Sequence, residues 1–278
     1  MRVLLFLAMP TPRKYVSCFR YLYGMAKVLA FLTAFSCLLL AACRGGNTGE
    51  LTVAAAANTR FAMEALTRSF TRETGIACRT VFSSSGKLTA QIRGGAPFDI
   101  LVSADMRYPR SLFSSGYTAA APEIYAYGRL VLWSLDSGVI PSPDQLSSPR
   151  ITHIALANPK TAPYGAAAVE VLKRHDLYEK VENKLVYGES ISQTNQFTIS
   201  GTAEIGFTSL SVVLSPGLRG RGSWRELDTA LYSPIAQGAV VLKNSKDRAR
   251  AGKFYDFLFS EKGKRILQEF GYTVSSND

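Results

Sequence analysis

Short apolar runs recur along the chain. Each is followed by small or hydroxyl residues and then by a stretch with helical spacing. Residues 51–55 are a continuous apolar run of strand length. Residues 60–72 follow with Phe61, Ala65, Leu66 and Phe70 on one helical stripe, and Arg68, Arg72 and Glu73 away from it. Gly75 stands where that helix closes. Residues 76–82 form the next strand, 87–93 a helix with Leu88 and Ile92 on one face, and 98–103 a third strand. This β-α-β-α-β order predicts a parallel sheet with helices on both faces. Ligands on such sheets sit at the carboxyl ends of the strands.

The second half repeats the rhythm. Residues 124–134 read as one long apolar strand that carries the chain into a second lobe. Strands are predicted at 152–157, 185–187 and 204–207, with helices at 165–175, 193–199 and 210–214, and Pro163 suits a first helical position. Residues 219–224 read as a Gly-Arg loop. Residues 235–242 form a strand that returns to the first lobe, before two amphipathic helices at 246–259 and 261–270. The expected division is 51–127 with 237–278 in lobe 1, and 128–236 in lobe 2.

The first 43 residues read differently. Five basic residues (Arg2, Arg13, Lys14, Arg20, Lys27) and no acid precede Cys43, and residues 28–40 are apolar. That is a signal peptide rather than a spanning helix. It ends Leu40-Ala41-Ala42-Cys43, which resembles the lipobox of bacterial lipoproteins, in which the Cys is lipidated and becomes the mature N-terminus. Residues 44–50 form a polar tether. The net charge is +11, and removing the five cations before Cys43 leaves +6. Those charges are spread out, with no aromatic-interleaved basic tract that would suit nucleic acid; they suit a small anion or an anionic membrane. Cys78 lies in an apolar alternation and reads as a small buried residue without a disulfide partner.

Enzyme signatures are missing. The Ser83–Lys87 stretch is not a phosphate loop, because Leu88 stands where a Ser or Thr would bind magnesium. There is no Gly-x-Ser-x-Gly and no His-Glu-x-x-His. The two histidines, His153 and His175, have no partner at motif spacing. What recurs is strand-loop-helix junctions, at Asn58-Thr59, Ser84-Ser85-Gly86, Ala162-Pro163-Tyr164, Ser190-Ile191-Ser192 and Thr208-Ser209. A helix start offers free N–H donors and the positive end of its dipole. Five such junctions on two lobes would surround a small tetrahedral dianion with neutral donors. Each taken alone is an ordinary capped helix.

In order along the chain, Leu-Thr-Val-Ala-Ala-Ala-Ala-Asn from 51, Val-Phe-Ser-Ser-Ser-Gly-Lys-Leu-Thr-Ala-Gln-Ile from 81 and Gly-Ala-Pro-Phe-Asp-Ile-Leu-Val-Ser-Ala-Asp from 95 are similar to the periplasmic molybdate-binding proteins of ABC importers. So are Ala-Asn-Pro-Lys-Thr-Ala-Pro-Tyr-Gly from 157, Ala-Glu-Ile-Gly-Phe-Thr-Ser-Leu-Ser from 203 and Phe-Tyr-Asp-Phe-Leu from 254. The resemblance implies a two-lobed periplasmic-binding-protein fold of type II, each lobe a mostly parallel sheet flanked by helices, with ligand in the interlobe cleft. It implies side-chain donors at Asn58 and Ser85 and main-chain N–H donors at Tyr164 and Ile191. Ser209 stands where some relatives carry a Tyr hydroxyl. The ligand implied is molybdate or tungstate, held through its oxygens without direct coordination of the metal, and no cofactor is implied. The partners implied are an ABC permease and its ATPase. The expected protein is a monomeric, extracytoplasmic, lipid-anchored binding protein and not an enzyme. The alternatives are a binding protein for sulfate or thiosulfate, and a secreted hydrolase using the Ser loop.

Overall fold

The computed structural model describes residues 49–118 and 120–274. The expected signal, Cys43 of the expected lipobox and most of the expected tether lie outside the described residues. Among the described residues ten strands follow in chain order: β1 Leu51–Ala56, β2 Cys78–Ser83, β3 Ile100–Val102, β4 Glu123–Gly128, β5 Leu130–Ser134, β6 Ile154–Ala157, β7 Leu185–Gly188, β8 Ile205–Ser209, β9 Ser223–Glu226 and β10 Ile235–Val241. The helices are α1 Arg60–Thr74, α2 Ser85–Arg93, α3 Arg107–Ser114, α4 Pro163–Arg174, α5 Tyr178–Val181, α6 Ile191–Ile199, α7 Leu210–Val213, α8 Arg248–Phe259 and α9 Glu261–Glu269.

Two five-stranded sheets form, in the orders β2-β1-β3-β10-β4 and β7-β6-β8-β5-β9. In the first, β1 pairs in parallel with β2 and β3, whereas β10 is antiparallel to β3 and β4. In the second, β6 is parallel to β7 and β8, and β5 is antiparallel to β8 and β9. The register sets the orientation of both. Gly128 at the end of β4 lies opposite Ile235 at the start of β10. Leu130 at the start of β5 lies opposite Ser209 at the end of β8. The carboxyl ends of the parallel strands of both sheets therefore point toward the place where the chain crosses between them.

Each sheet has its own core. Helix α1 buries Ala62, Met63, Leu66 and Phe70 against the first sheet, and Phe70 meets Phe254 of α8 edge-on with centroids 5.1 Å apart. The buried stripe is thus turned from the expected one: Ala65 and Phe61 are only half-buried, and Met63 and Ala62 lie inside. The opposite face of that sheet is covered by Leu88 and Ile92 of α2 and Leu112 of α3. The second sheet closes over Trp133, Leu156 and Phe207.

Three further expectations are corrected. The apolar run 124–134 is two strands in different sheets, because the chain bends at Arg129 and each half finds separate partners. Residues 223 and 224, expected at the end of the 219–224 loop, instead open a solvent-exposed edge strand, Ser223–Glu226, that pairs with β5. Cys78 is half-buried, at the start of an edge strand, and burial still pushes its thiol up to about 11.

Candidate functional site

The starts of α2, α4 and α6 are buried. Ser85 opens α2 at 0% exposure, Tyr164 lies one residue into α4 at 1%, and Ile191 opens α6 at 4%. The first-turn N–H groups of a helix have no acceptor within it, so a buried start needs another partner. The N-cap residues here, Ser84, Ala162 and Ser190, form no side-chain cap bond. Side-chain caps are present on α8 and α9, where Asp247 accepts from Arg250 N and Ser260 from Gly263 N, and are lacking also on α1, α3, α5 and α7, so it is the burial of their starts that sets α2, α4 and α6 apart. Ser84 Oγ is itself buried with no hydrogen-bond partner among the described residues.

These starts come from both sheets and meet. Gly86 N donates to Thr161 O at 3.0 Å, joining the first turn of α2 to the loop before α4. Tyr108 OH donates to Lys160 O at 3.2 Å, and Lys87 forms an ion pair with Glu189, just ahead of α6. Helix α6 packs against the turn at Ala57–Thr59, where Asn58 sits, and a pocket of about 410 Å³ lies between them. At the Gly86 junction, a second pocket of about 550 Å³ is lined by Gly86 together with Arg93, Arg107, Tyr108 and Lys160. That basic pocket gives the junction a field that favours anions.

Ser85 Oγ accepts from Ala104 N at 3.0 Å, at the end of β3. Its hydroxyl proton remains available to donate. Asn58 is 1% exposed, and its Nδ2 donates to Gln237 Oε1 at 3.0 Å and to Tyr272 OH at 3.1 Å. Its carbonyl oxygen accepts from Ser211 Oγ at 2.7 Å. Ser209 Oγ is bonded to Ser211 Oγ at 2.9 Å, so it stands behind Ser211 in the same chain of bonds. The structure thus brings Asn58, Ser209 and Tyr164 into one buried network and sets Ser85 at the adjoining junction.

Burial pushes the hydroxyls of Tyr125 and Tyr164 well above the usual range, and that of Tyr272 to about 12. All three therefore stay protonated and neutral. Burial also raises Asp105, against bonds from Tyr108 N and Ser103 Oγ and the nearby Arg107 guanidinium. His153 lies exposed ahead of β6 with its N–H on Glu204, and His175 ends α4, so neither meets these junctions.

Gln237, Tyr272, Tyr125, Ser211 and Ala104 were not singled out by sequence. Gln237 carried a signal, as the one polar side chain in the apolar run 235–242.

Residues 51–273 match the family described as bacterial extracellular solute-binding protein. The molybdate-binding protein ModA of Rhodobacter capsulatus is 39% identical over 227 residues, which cover 81% of this chain and 89% of that relative. The protein of the same name from Azotobacter vinelandii is 40% identical over 235 residues, 84% of this chain and 93% of the relative. The solved periplasmic molybdate-binding protein of Azotobacter vinelandii superposes with a TM-score of 0.78 at 33% identity, covering 82% of this chain and all of that one. A solved sulfate-binding protein, SubI of Mycobacterium tuberculosis, shares the fold with a TM-score of 0.67 at 14% identity, over 82% of this chain and 88% of that one. With a family match across nearly all the described residues and relatives at this identity, the chain belongs to the bacterial extracellular solute-binding proteins, in the group of the molybdate-binding proteins.

Proposed function

We propose that this protein captures a tetrahedral oxyanion, molybdate or tungstate, in the cleft between its two sheets and delivers it to an ABC permease driven by its ATPase. The observation that carries this reading is the meeting of buried helix starts from both sheets, none closed by a cap side chain. Neutral N–H and O–H donors fixed by a fold stabilise a dianion without a counter-charge. The orphaned Ser84 hydroxyl at the same place adds a donor without an acceptor. The names of the relatives supply the particular anion.

Within this reading, Ser85 binds through its hydroxyl, and Tyr164 and Ile191 through their main-chain N–H groups. Asn58 lies beside them with both amide hydrogens engaged inside the protein, so it contacts the anion by trading one of those bonds or through its main chain. Ser209 acts through Ser211 rather than by direct reach. The donors hold the anion's oxygens and leave the metal uncoordinated. Lobe 1 comprises 51–127 with 237–278 and lobe 2 comprises 128–236, with the protein a monomer held outside the cytoplasm by a lipid on Cys43. A relative from Bacillus subtilis, 28% identical over 255 residues, is named as a substrate-binding lipoprotein, which supports the anchor.

Titration of the mature protein with molybdate, tungstate, sulfate and phosphate tests the reading. Tight binding of the first two is expected. Protein that binds none of the four, while folded, overturns it.

A further inference from the structure

We propose that Gln237 is a positioning residue for the cleft, tying the Asn58 turn to Tyr164 so that donors from the two sheets are held in one register. The inference rests on the oxyanion reading above. Gln237 is fully buried in β10, two residues after the chain returns from the second sheet. Its Oε1 accepts from Tyr125 OH at 2.8 Å and from Asn58 Nδ2 at 3.0 Å. Its Nε2 faces Tyr164 OH at 3.5 Å. One amide therefore touches β4, the turn after β1 and the first turn of α4.

The sense of each bond follows from the inventory of donors. Ser211 Oγ and Tyr272 OH both approach Asn58 O, so the hydroxyl of Tyr272 has its lone pairs toward Asn58 Nδ2. The Asn58 amide is then fixed with its hydrogens turned inward, on Gln237 and Tyr272. A buried network of this kind holds one geometry only while every member is paired.

Gly128, where the chain leaves the first sheet, makes room for the arrangement. A Cβ there would come 2.0 Å from Tyr164 OH and 2.6 Å from Gln237 Nε2. The phenol of Tyr164 thus enters from α4 into a slot beside the crossing strand, while the main chain of the same residue lies at the helix start. Gln237 need not touch the anion to govern it; it acts through Asn58 and Tyr164.

The test uses the full mature chain. Gln237→Met keeps the volume and removes the amide. Calorimetry with molybdate and with sulfate is run beside melting of the ligand-free protein. The expected result is a folded variant whose molybdate affinity falls about tenfold or more. Sulfate, which engages fewer donors, falls less, so the selectivity ratio narrows. Tyr164→Phe, which keeps the main-chain N–H, gives a smaller fall that does not add fully to that of Gln237→Met. Unchanged affinity in Gln237→Met, or equal losses for both anions, overturns the inference. Should Gln237→Met not fold, Tyr164→Phe decides, and wild-type affinity in it overturns the inference. Failure of the oxyanion reading is visible separately, in wild-type protein that takes up neither anion.

Discussion

The main-chain N–H of Gly86 donates to the carbonyl oxygen of Thr161 at 3.0 Å, and this bond joins the first turn of a helix on one sheet to the loop that starts a helix on the other. It uses one of the free donors of α2 to hold the two halves together and leaves those of Ser85 and Lys87 for other use. The approach is close because Gly86 has no side chain. A Cβ there would lie 2.6 Å from Tyr108 OH and 3.1 Å from Thr161 Cα.

Gly86→Ala should therefore force the two sides apart at this point. The loss of one main-chain bond corresponds to about 0.5–1.5 kcal/mol of oxyanion affinity. Calorimetry measures it, and scattering on the liganded protein should report a less compact particle. Wild-type affinity together with wild-type compaction would show that the contact is incidental.

Ser85→Ala removes a hydroxyl whose lone pair already serves Ala104 N and whose proton is free. Hydrogen bonds to a charged partner contribute about 1.5–3 kcal/mol, and the loss of molybdate affinity should fall in that range. Asn58→Ala should lose a similar amount, in its case because Gln237 Oε1 and Tyr272 OH lose their donor and the turn loosens. Unchanged affinity in both folded variants would remove the first-sheet half of the proposed site.

The junctions were legible because each element announces itself locally, by apolar spacing and by the small residues that follow. What joins them was not. Asn58 and Gln237 stand 179 positions apart, and no periodicity links them. The bend at Arg129 was hidden because Tyr125, Ala126 and Gly128 just before it and all of β5 just after it are buried, so the apolar residues on its two sides merge into one run. The strand at residues 223–226 gave no alternation because all four residues are exposed, and it is held by its pairing with β5 alone. On α1, Phe61 and Ala65 satisfied a helical stripe on paper. The sheet and α8 select the adjacent stripe, which carries Met63.

Stability and binding should respond to pH at different places. Burial raises Glu204, but the N–H groups of Thr152 and His153 and the Thr152 hydroxyl outweigh it, so its pKa lies below the ordinary 4.5. A depressed carboxylate stabilises the fold above the ordinary value, and that contribution is lost as pH falls through the lowered one. Glu204→Gln should lower the melting temperature at neutral pH and flatten its decline in acid. Oxyanion binding should be flat between about pH 6 and 9, because Tyr125, Tyr164 and Tyr272 stay protonated there. Melting scans and calorimetry across this range check both statements; affinity that rises or falls steeply near neutrality would point to a charged group in the cleft.

The anchor is tested apart from the cleft. Cys43 follows Leu40-Ala41-Ala42, and with a lipid on it the protein should partition into detergent. Cys43→Ala protein should appear in the aqueous phase or remain unprocessed. A variant cleaved at the same bond and equally membrane-bound would exclude lipidation at this cysteine.

Selectivity is the sharpest consequence of a cleft closed from both sides. The proposed donors are neutral, so charge alone does not separate one dianion from another. Fit does. An anion large enough to reach Ser85 on one side and the starts of α4 and α6 on the other satisfies all of them at once. A smaller tetrahedral dianion leaves donors unpaired in a buried site, and each such loss costs about 1–3 kcal/mol. Two losses give a factor of about 100 or more, so molybdate and tungstate should bind alike and sulfate at least that much more weakly. Because the two halves already touch at Gly86 and Thr161, the site should open to admit the anion and close again over it, with the rotation absorbed where the chain crosses, near Tyr127-Gly128 and Ser233-Pro234. Tyr127 is paired with Thr273 through N–H···O bonds of 2.7 and 3.0 Å beside this crossing. Competition calorimetry with the three anions, together with small-angle scattering of free and loaded protein, measures both parts. Sulfate that competes on equal terms with molybdate, or a radius of gyration unchanged by saturating molybdate, would rule out selection by closure.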